Sequence, residues 1–264
     1  MDDADTLIRA EIADGIGLFT IDRAEKRNAM SLAMWRRMGD VFEAWADEPA
    51  VRVVVVRGAG EACFCAGNDI SEFKTLRADA AGVAHYDEVT TRAYKALKNL
   101  PKPTIARIAG TCIGGGLELA LLCDLQIAEE GATFAVTPAR LGLGYKFADV
   151  SLLTAACGAK AAKEILFTGR RFAAADVLRW GLINRAVPAA DLDDTVADYA
   201  REIAANAPLS VKAAKLVVNE AVKDADERDL ELCRRVVAEC NASEDFIEGQ
   251  RAFAEKRKPA FKGR

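Results

Sequence analysis

The stretch VRVVVVRG, residues 51–58, constrains the fold of this chain more than any other. Its four consecutive valines, Val53 to Val56, show no alternation of apolar and polar residues. A strand of that kind is covered on both faces, as in a parallel sheet enclosed by helices. The flanking sequence supplies the helices. SLAMWRRMGDVFEAWADE, residues 31–48, has a helical period with Ser31 as its N-cap. Residues 83–99 form a second helix, closed by LPKP, which cannot continue it. LIRAEI and IGLFTID flank Asp14-Gly15, a hairpin signal. TIARIAG reads as strand, residues 115–122 as a short helix and DLQIAEE as strand again, and LINRAVP is the last strand. Beyond it the texture changes: residues 192–256 read as helices only, broken at Pro208 and near Asn241. The pattern describes an α/β core over residues 1–190 followed by a helical region over residues 191–264, with no low-complexity linker between them.

Composition bounds the functional classes. Over 264 residues, 51% are hydrophobic, ample for a sizeable core. A net charge of −4 leaves no nucleic-acid footprint. Seven cysteines without a regular framework point to free thiols in a reducing, cytoplasmic setting. Cys63-x-Cys65 has no second close pair and only one histidine in the chain to complete a metal set, so no metal site is expected. The start MDDADTL is acidic and lacks the apolar stretch of a leader, and no run of about 18 apolar residues is present to span a membrane.

Two glycine-rich stretches carry the chemistry. In GTCIGGGLELALLCDL, residues 110–125, Gly114, Gly115 and Gly116 run directly into an apolar helix whose one charged residue is Glu118. Three successive glycines cost backbone entropy, so a turn with positive φ or a close backbone approach must require them. At a helix start, free N–H groups and the dipole also favour an anionic oxygen. A tight strand-to-helix turn is the plainer alternative. The second stretch, GAGEACFCAGNDI, residues 58–70, follows the buried strand, where α/β folds keep their ligand sites. Gly58-x-Gly60 lacks the third glycine of a dinucleotide loop, and no helix opens before about Ile70.

FCAGNDISEF and GTCIGGGLELALLCDL together resemble the paired signatures of the crotonase superfamily, the enoyl-CoA hydratase/isomerase proteins. RAEKRNAMS, LPKPTIARIAG, LFTGRRFAAADVLRWGLINRAVP and the terminal EGQRAFAEKRKPAFKGR follow in the family's order, so the resemblance covers nearly the whole chain. It implies a spiral of ββα units with a C-terminal helical region that supports trimers or dimers of trimers. It also implies an acyl-CoA thioester as substrate, with coenzyme A entering as part of that substrate and no separate cofactor. Acyl-CoA chemistry at the α-carbon passes through a thioester enolate, whose oxygen two preorganised N–H donors can stabilise. Losing one such donor typically costs about 2.7–4 kcal/mol. By the matched motifs, the donors are the amides of Asn68 and Gly115. Coenzyme A would lie along EKRNA and CAGND, with Lys26 and Arg27 at the nucleotide end and Ala66 and Ile70 bordering the adenine. Phe261 and Lys262 would reach it from the C-terminus, their own or a neighbouring subunit's.

Glu118 matches an acid/base glutamate of the hydratases, and burial in an apolar helix would raise its pKa toward a useful range. The plain alternative is a first-turn acid complementing the helix dipole. The chain departs from the hydratase pattern at Pro138, which stands where a second glutamate belongs. Losing one acid/base group usually costs 10²–10⁴-fold in rate. TPARLGLGY is similar to the matching loop of methylmalonyl-CoA decarboxylases, in which the residue matching Tyr145 helps hold a substrate carboxylate. Hydration and decarboxylation therefore both remain open, beside a non-catalytic acyl-CoA binder and a nucleotide-dependent oxidoreductase. Lys146 and Asp149 lie at the start of the next helix, either able to enter the pocket, and His85 reads as a surface residue.

Overall fold

The computed structural model describes residues 4–264; the first three residues of the acidic N-terminus lie outside the described residues. A one-turn helix, α1 (Ala4–Leu7), leads into β1 (Ile8–Ala13) and β2 (Ile16–Ile21), paired antiparallel. Asp14 and Gly15 between them both take positive φ, 52° and 82°, as a two-residue hairpin turn demands. Helix α2 (Leu32–Asp47) starts at Ser31, whose hydroxyl accepts the amide of Met34 at 3.3 Å. The chain then winds through repeated strand–strand–helix units. The first is β3 (Val53–Gly58), β4 (Cys63–Cys65), the short α3 (Phe73–Leu76) and α4 (Ala80–Lys98). Helix α4 begins three residues before the sequence pattern suggested, because Asp79 caps it by accepting the Gly82 amide at 2.7 Å.

The second unit is β5 (Thr104–Ile108), β6 (Thr111–Ile113) and α5 (Gly115–Leu122); the third is β7 (Leu125–Glu129), β8 (Thr133–Ala135) and α6 (Phe147–Thr168). Strand β9 (Phe172–Ala173), α7 (Ala174–Arg179) and β10 (Arg185–Val187) complete the spiral. Only the end of LINRAVP is strand; Leu182 and Ile183 are buried in the turn before it. Each unit gives one strand to a six-stranded sheet, ordered β1-β2-β3-β5-β7-β10, and one to a four-stranded sheet, ordered β4-β6-β8-β9. In the larger sheet every pair beyond the hairpin is parallel.

The valine run is covered on both sides. Val54 and Val56, with Ala106, Ile108 and Ala128, face the main core beneath α2 and α4. Val53 and Val55, with Ile105 and Ile127, face Leu192, Val196, Ala200 and Ala204 of α8 (Leu192–Ala205). The helical segment after residue 191 thus divides by role. Helix α8 closes the second face of the sheet, while α9 (Pro208–Ala221), α10 (Leu230–Asn241) and α11 (Glu244–Ala254) follow it. Pro208 is the first residue of α9, where its missing N–H costs nothing. The α8 contact is testable. Leu192 is fully buried, so Leu192→Ala should lower stability in urea denaturation by about 2–5 kcal/mol, the cost of a core cavity. A change below about 0.5 kcal/mol would mean α8 is a loosely attached appendage.

Candidate active site

Strands β4, β6 and β8 lie side by side and parallel, so their C-terminal ends open at one place. Each exit loop delivers a group to that place: Asn68 after β4, Gly115 and Glu118 after β6, and the Tyr145 loop after β8. The three glycines answer to this convergence. Gly114 has φ of 57°, and its amide donates to Ala135 O of β8 at 2.9 Å. A Cβ on Gly115 would stand 3.4 Å from Gly67 Cα and 3.8 Å from Asn68 N. A Cβ on Gly67 would stand 2.9 Å from Gly115 N, and one on Gly116 would overlap the carbonyl of Cys65. Only bare backbone lets the two loops meet.

The meeting leaves backbone donors free. Gly67 N–H donates to Cys65 Sγ and Asp69 N–H to Met30 O, while Leu117 and Glu118 N–H both donate to Gly114 O. Among the described residues, the amides of Asn68 and Gly115 between these neighbours make no hydrogen bond. They sit beside each other at the N-terminus of α5, whose dipole adds to their pull on a negative oxygen.

Glu118 is half-buried on the first turn of α5. Burial pushes its pKa up to about 7, and the negative charge of Asp149 pushes the same way. The hydroxyls of Tyr145 and Tyr94, and then Lys146, act against that rise. The Tyr94 hydroxyl donates to Glu118 Oε2 at 3.2 Å, and the Tyr145 hydroxyl lies 4.0 Å from where a Cβ on Gly114 would be. Asp149, on the first turn of α6, has its own pKa raised by burial, while Lys146 beside it binds Asp87 at 2.9 Å. Pro138 is buried at the start of a short 3₁₀ turn and offers no carboxylate. Asp149, and not position 138, supplies the second acid within electrostatic reach of Glu118.

The rim predicted for coenzyme A is partly assembled. Arg27 O accepts the Ala66 amide at 3.1 Å, and Met30 exchanges backbone bonds with Gly67 and Asp69, so EKRNA and CAGND run side by side. Lys26 and Arg27 are exposed there, as is Ile70. Beneath them Arg23, buried, pairs with Asp69 at 2.8 Å, and Lys26 approaches the same carboxylate at 3.4 Å. Burial would raise the Asp69 pKa, but Ser71, Arg23 and Lys26 outweigh it and bring it down to about 2. Phe261 and Lys262 do not reach this cleft in their own chain. Phe261 O accepts from Arg52 and Lys262 N–H donates to Asp245. Arg52 precedes β3, so Phe261 lies the length of that strand, roughly 20 Å, from the Gly58 end.

Several residues singled out by sequence serve the core or the surface. Gly58 ends β3 where a Cβ would overlap the Phe64 carbonyl, and β3 passes into β4 without a helix start, so no dinucleotide loop forms. Cys63, Cys65 and Cys112 are buried, and burial pushes the Cys65 thiol up to about 12. His85 is exposed on α4, near Arg36 and Glu88. No helix among the described residues is long and apolar enough to cross a membrane.

The wider likeness agrees with this geometry. Residues 11–264 match the family described as Enoyl-CoA hydratase/isomerase. The chain belongs to that family. It is 39% identical over 246 residues to the carnitinyl-CoA dehydratase of Proteus mirabilis, covering 90% of this chain and 92% of that one. It is 36% identical over 252 residues to the carnitinyl-CoA dehydratase of Escherichia coli K12, covering 93% and 94%. Among solved structures, an enoyl-CoA hydratase/carnithine racemase from Magnetospirillum magneticum superposes with a TM-score of 0.91 at 34% identity, over 98% of this chain and 96% of that one. The enoyl-CoA hydratase of Bacillus anthracis also gives 0.91, at 31% identity, over 98% and 100%. The chain is a hydratase-type lyase with the crotonase fold.

Tyr94 and Trp35 had no sequence signal. Tyr94 meets Glu118 across 24 residues of chain, and Trp35 meets Asn68 across 33. A carbon-13 titration of the Glu118 carboxyl should show a midpoint near 7. Tyr94→Phe removes a bond to the charged form and should move the midpoint up, whereas Asp149→Asn removes repulsion and should move it down. Shifts in the opposite sense would refute the assigned electrostatics.

Proposed function

We propose that this enzyme adds water reversibly across the C2–C3 double bond of an enoyl-CoA thioester, with the thioester oxygen held by the amides of Asn68 and Gly115. The observation that carries the proposal is two unbonded main-chain donors beside a glutamate whose pKa lies near neutrality. In hydration, the water oxygen bonds to C3 as its proton passes to the Glu118 carboxylate. Glu118 then returns a proton to C2, which collapses the enolate to the thioester. A group near pH 7 can both take and give that proton. Burial, and after it the repulsion of Asp149, keeps Glu118 in this range, and Asp149 is a partial answer to the absent carboxylate at 138. Tyr94 holds the carboxyl toward the cleft.

Coenzyme A enters as part of the substrate, its nucleotide end along Lys26, Arg27, Ala66 and Ile70. The names of the Proteus and Escherichia relatives make carnitinyl-CoA a member of the substrate panel. Decarboxylation is the weaker alternative. A substrate carboxylate at Tyr145 would face Glu118 and Asp149, two acids that repel it. Seven free cysteines support a reducing, cytoplasmic setting.

Loss of the enoyl-thioester absorbance with crotonyl-CoA tests the reaction. Wild type should hydrate it, and Glu118→Gln should lower turnover 10²–10⁴-fold with little change in coenzyme A affinity. Undiminished turnover in that variant, or CO₂ release from methylmalonyl-CoA without hydration, would overturn the proposal.

We further propose that residues 191–264 build a homotrimer, or a dimer of trimers. Val218 on α9, Val222 just after it, Leu230 on α10, and Phe246, Ile247 and Phe253 on α11 are exposed, Phe253 at 87%. Apolar faces of this extent call for a partner. The terminal Phe261 and Lys262, remote from their own cleft, would then serve a neighbour's. Sedimentation equilibrium should give three or six times the 28.4 kDa chain mass, and a stable single-chain species would contradict it.

A further inference from the structure

The side chain of Asn68 is oriented by a neighbour that permits only one choice. The indole nitrogen of Trp35 lies 2.8 Å from Asn68 Oδ1. An indole N–H donates and cannot accept, so the carboxamide oxygen must face Trp35 and the NH₂ must face away from it. Trp35 is itself fully buried and held edge-on against Tyr94, with ring centroids 5.2 Å apart at 77°. The carboxamide therefore sits against a rigid wall. No hydrogen bond among the described residues uses Nδ2, and Nδ2 is not among the buried polar atoms left without a partner, so it faces open space. Asn68 is half-buried on the exit loop of β4, and its own main-chain amide is one of the two free donors. A thioester seated on that amide would bring its acyl group to the residue that carries this NH₂.

We propose that the Asn68 carboxamide, turned by Trp35, selects acyl-CoA thioesters that carry a hydrogen-bond-accepting oxygen on the acyl group, a 3-hydroxyl or a carboxylate. This rests on the seating of the thioester proposed above. A plain alkyl chain leaves Nδ2 without a partner once water is displaced, and an unpaired donor in a closed site is costly. An acyl oxygen restores the bond. The negative surroundings of Glu118 and Asp149 favour the neutral hydroxyl over the carboxylate. Trp35 is a positioning residue here, touching Asn68 and Tyr94, and through Tyr94 it also steadies Glu118.

Calorimetric binding of 3-hydroxybutyryl-CoA, methylmalonyl-CoA and butyryl-CoA tests the proposal, in a Glu118→Gln background that stalls turnover. The parent should prefer an oxygen-bearing thioester over butyryl-CoA by about three- to tenfold. Asn68→Ala keeps the main-chain amide and should erase that preference. Asn68→Asp keeps the shape and the Trp35 contact while replacing the donor with an acceptor, and should erase it too. Trp35→Phe releases the carboxamide and should reduce it. A preference for 3-hydroxybutyryl-CoA assigns the partner as a hydroxyl, and one for methylmalonyl-CoA as a carboxylate. No preference in the parent, or a preference that survives both Asn68 variants, would overturn the inference. Hydration of crotonyl-CoA by wild type reports separately on the reaction itself, so the two failures are distinguishable.

Discussion

The site depends on one close approach. The loop leaving β4 and the loop leaving β6 meet at Gly67 and Gly115, with bare backbone on both sides. A side chain at Gly67, or at Gly116 against the Cys65 carbonyl, would push the loops apart, whereas one at Gly115 would meet only ordinary contacts. Their contact follows from register: β4 and β6 are parallel neighbours, with Cys63 opposite Thr111 and Cys65 opposite Cys112, so their exits emerge together. Neighbouring amides are consumed by Cys65, Met30 and Gly114, and those of Asn68 and Gly115 are left unbonded side by side. The buried Arg23–Asp69 pair, reinforced by Lys26 and Ser71 on the same carboxylate, holds the β4 loop from beneath. Fold stability and site geometry are therefore coupled at this point.

The electrostatics of Glu118 extend the same logic. A carboxyl at the start of an apolar helix is drawn toward the neutral form by burial and by Asp149, and toward the charged form by two tyrosines and Lys146. Burial prevails and brings it up to about 7, where proton transfer in both directions is feasible. A second carboxylate from another element changes the meaning of Pro138. The proline removes an acid from the loop after β8, and the helix after that loop brings one back, in a position suited to tuning Glu118.

Much of this was legible in the sequence, and for local reasons. Val53 to Val56 announced a strand buried on both faces because the absence of alternation is a property of the stretch itself. Ser31, Asp14-Gly15 and Pro208 marked their turns and helix ends through their own backbone chemistry. Gly114 to Gly116 and Glu118 stood out because glycine and charge are anomalous in an apolar helix start. What stayed hidden was long-range. Trp35 and Tyr94 look like ordinary core aromatics on α2 and α4, and only the spiral brings them to Asn68 and Glu118. Asp149 was legible only as one of two charges, with Lys146, able to enter the pocket, and its effect on Glu118 was not. The role of α8 was obscured because an all-helical texture after residue 191 does not say which helix returns to the sheet.

The central claim is that a thioester oxygen sits between the amides of Asn68 and Gly115. A crystal structure with a non-hydrolysable acyl-CoA analogue measures this most directly. The carbonyl oxygen should lie about 2.7–3.1 Å from both nitrogens, with the acyl carbons between Glu118 and the Asn68 carboxamide. An oxygen directed elsewhere, or amides closed off by other bonds in the complex, would contradict the account.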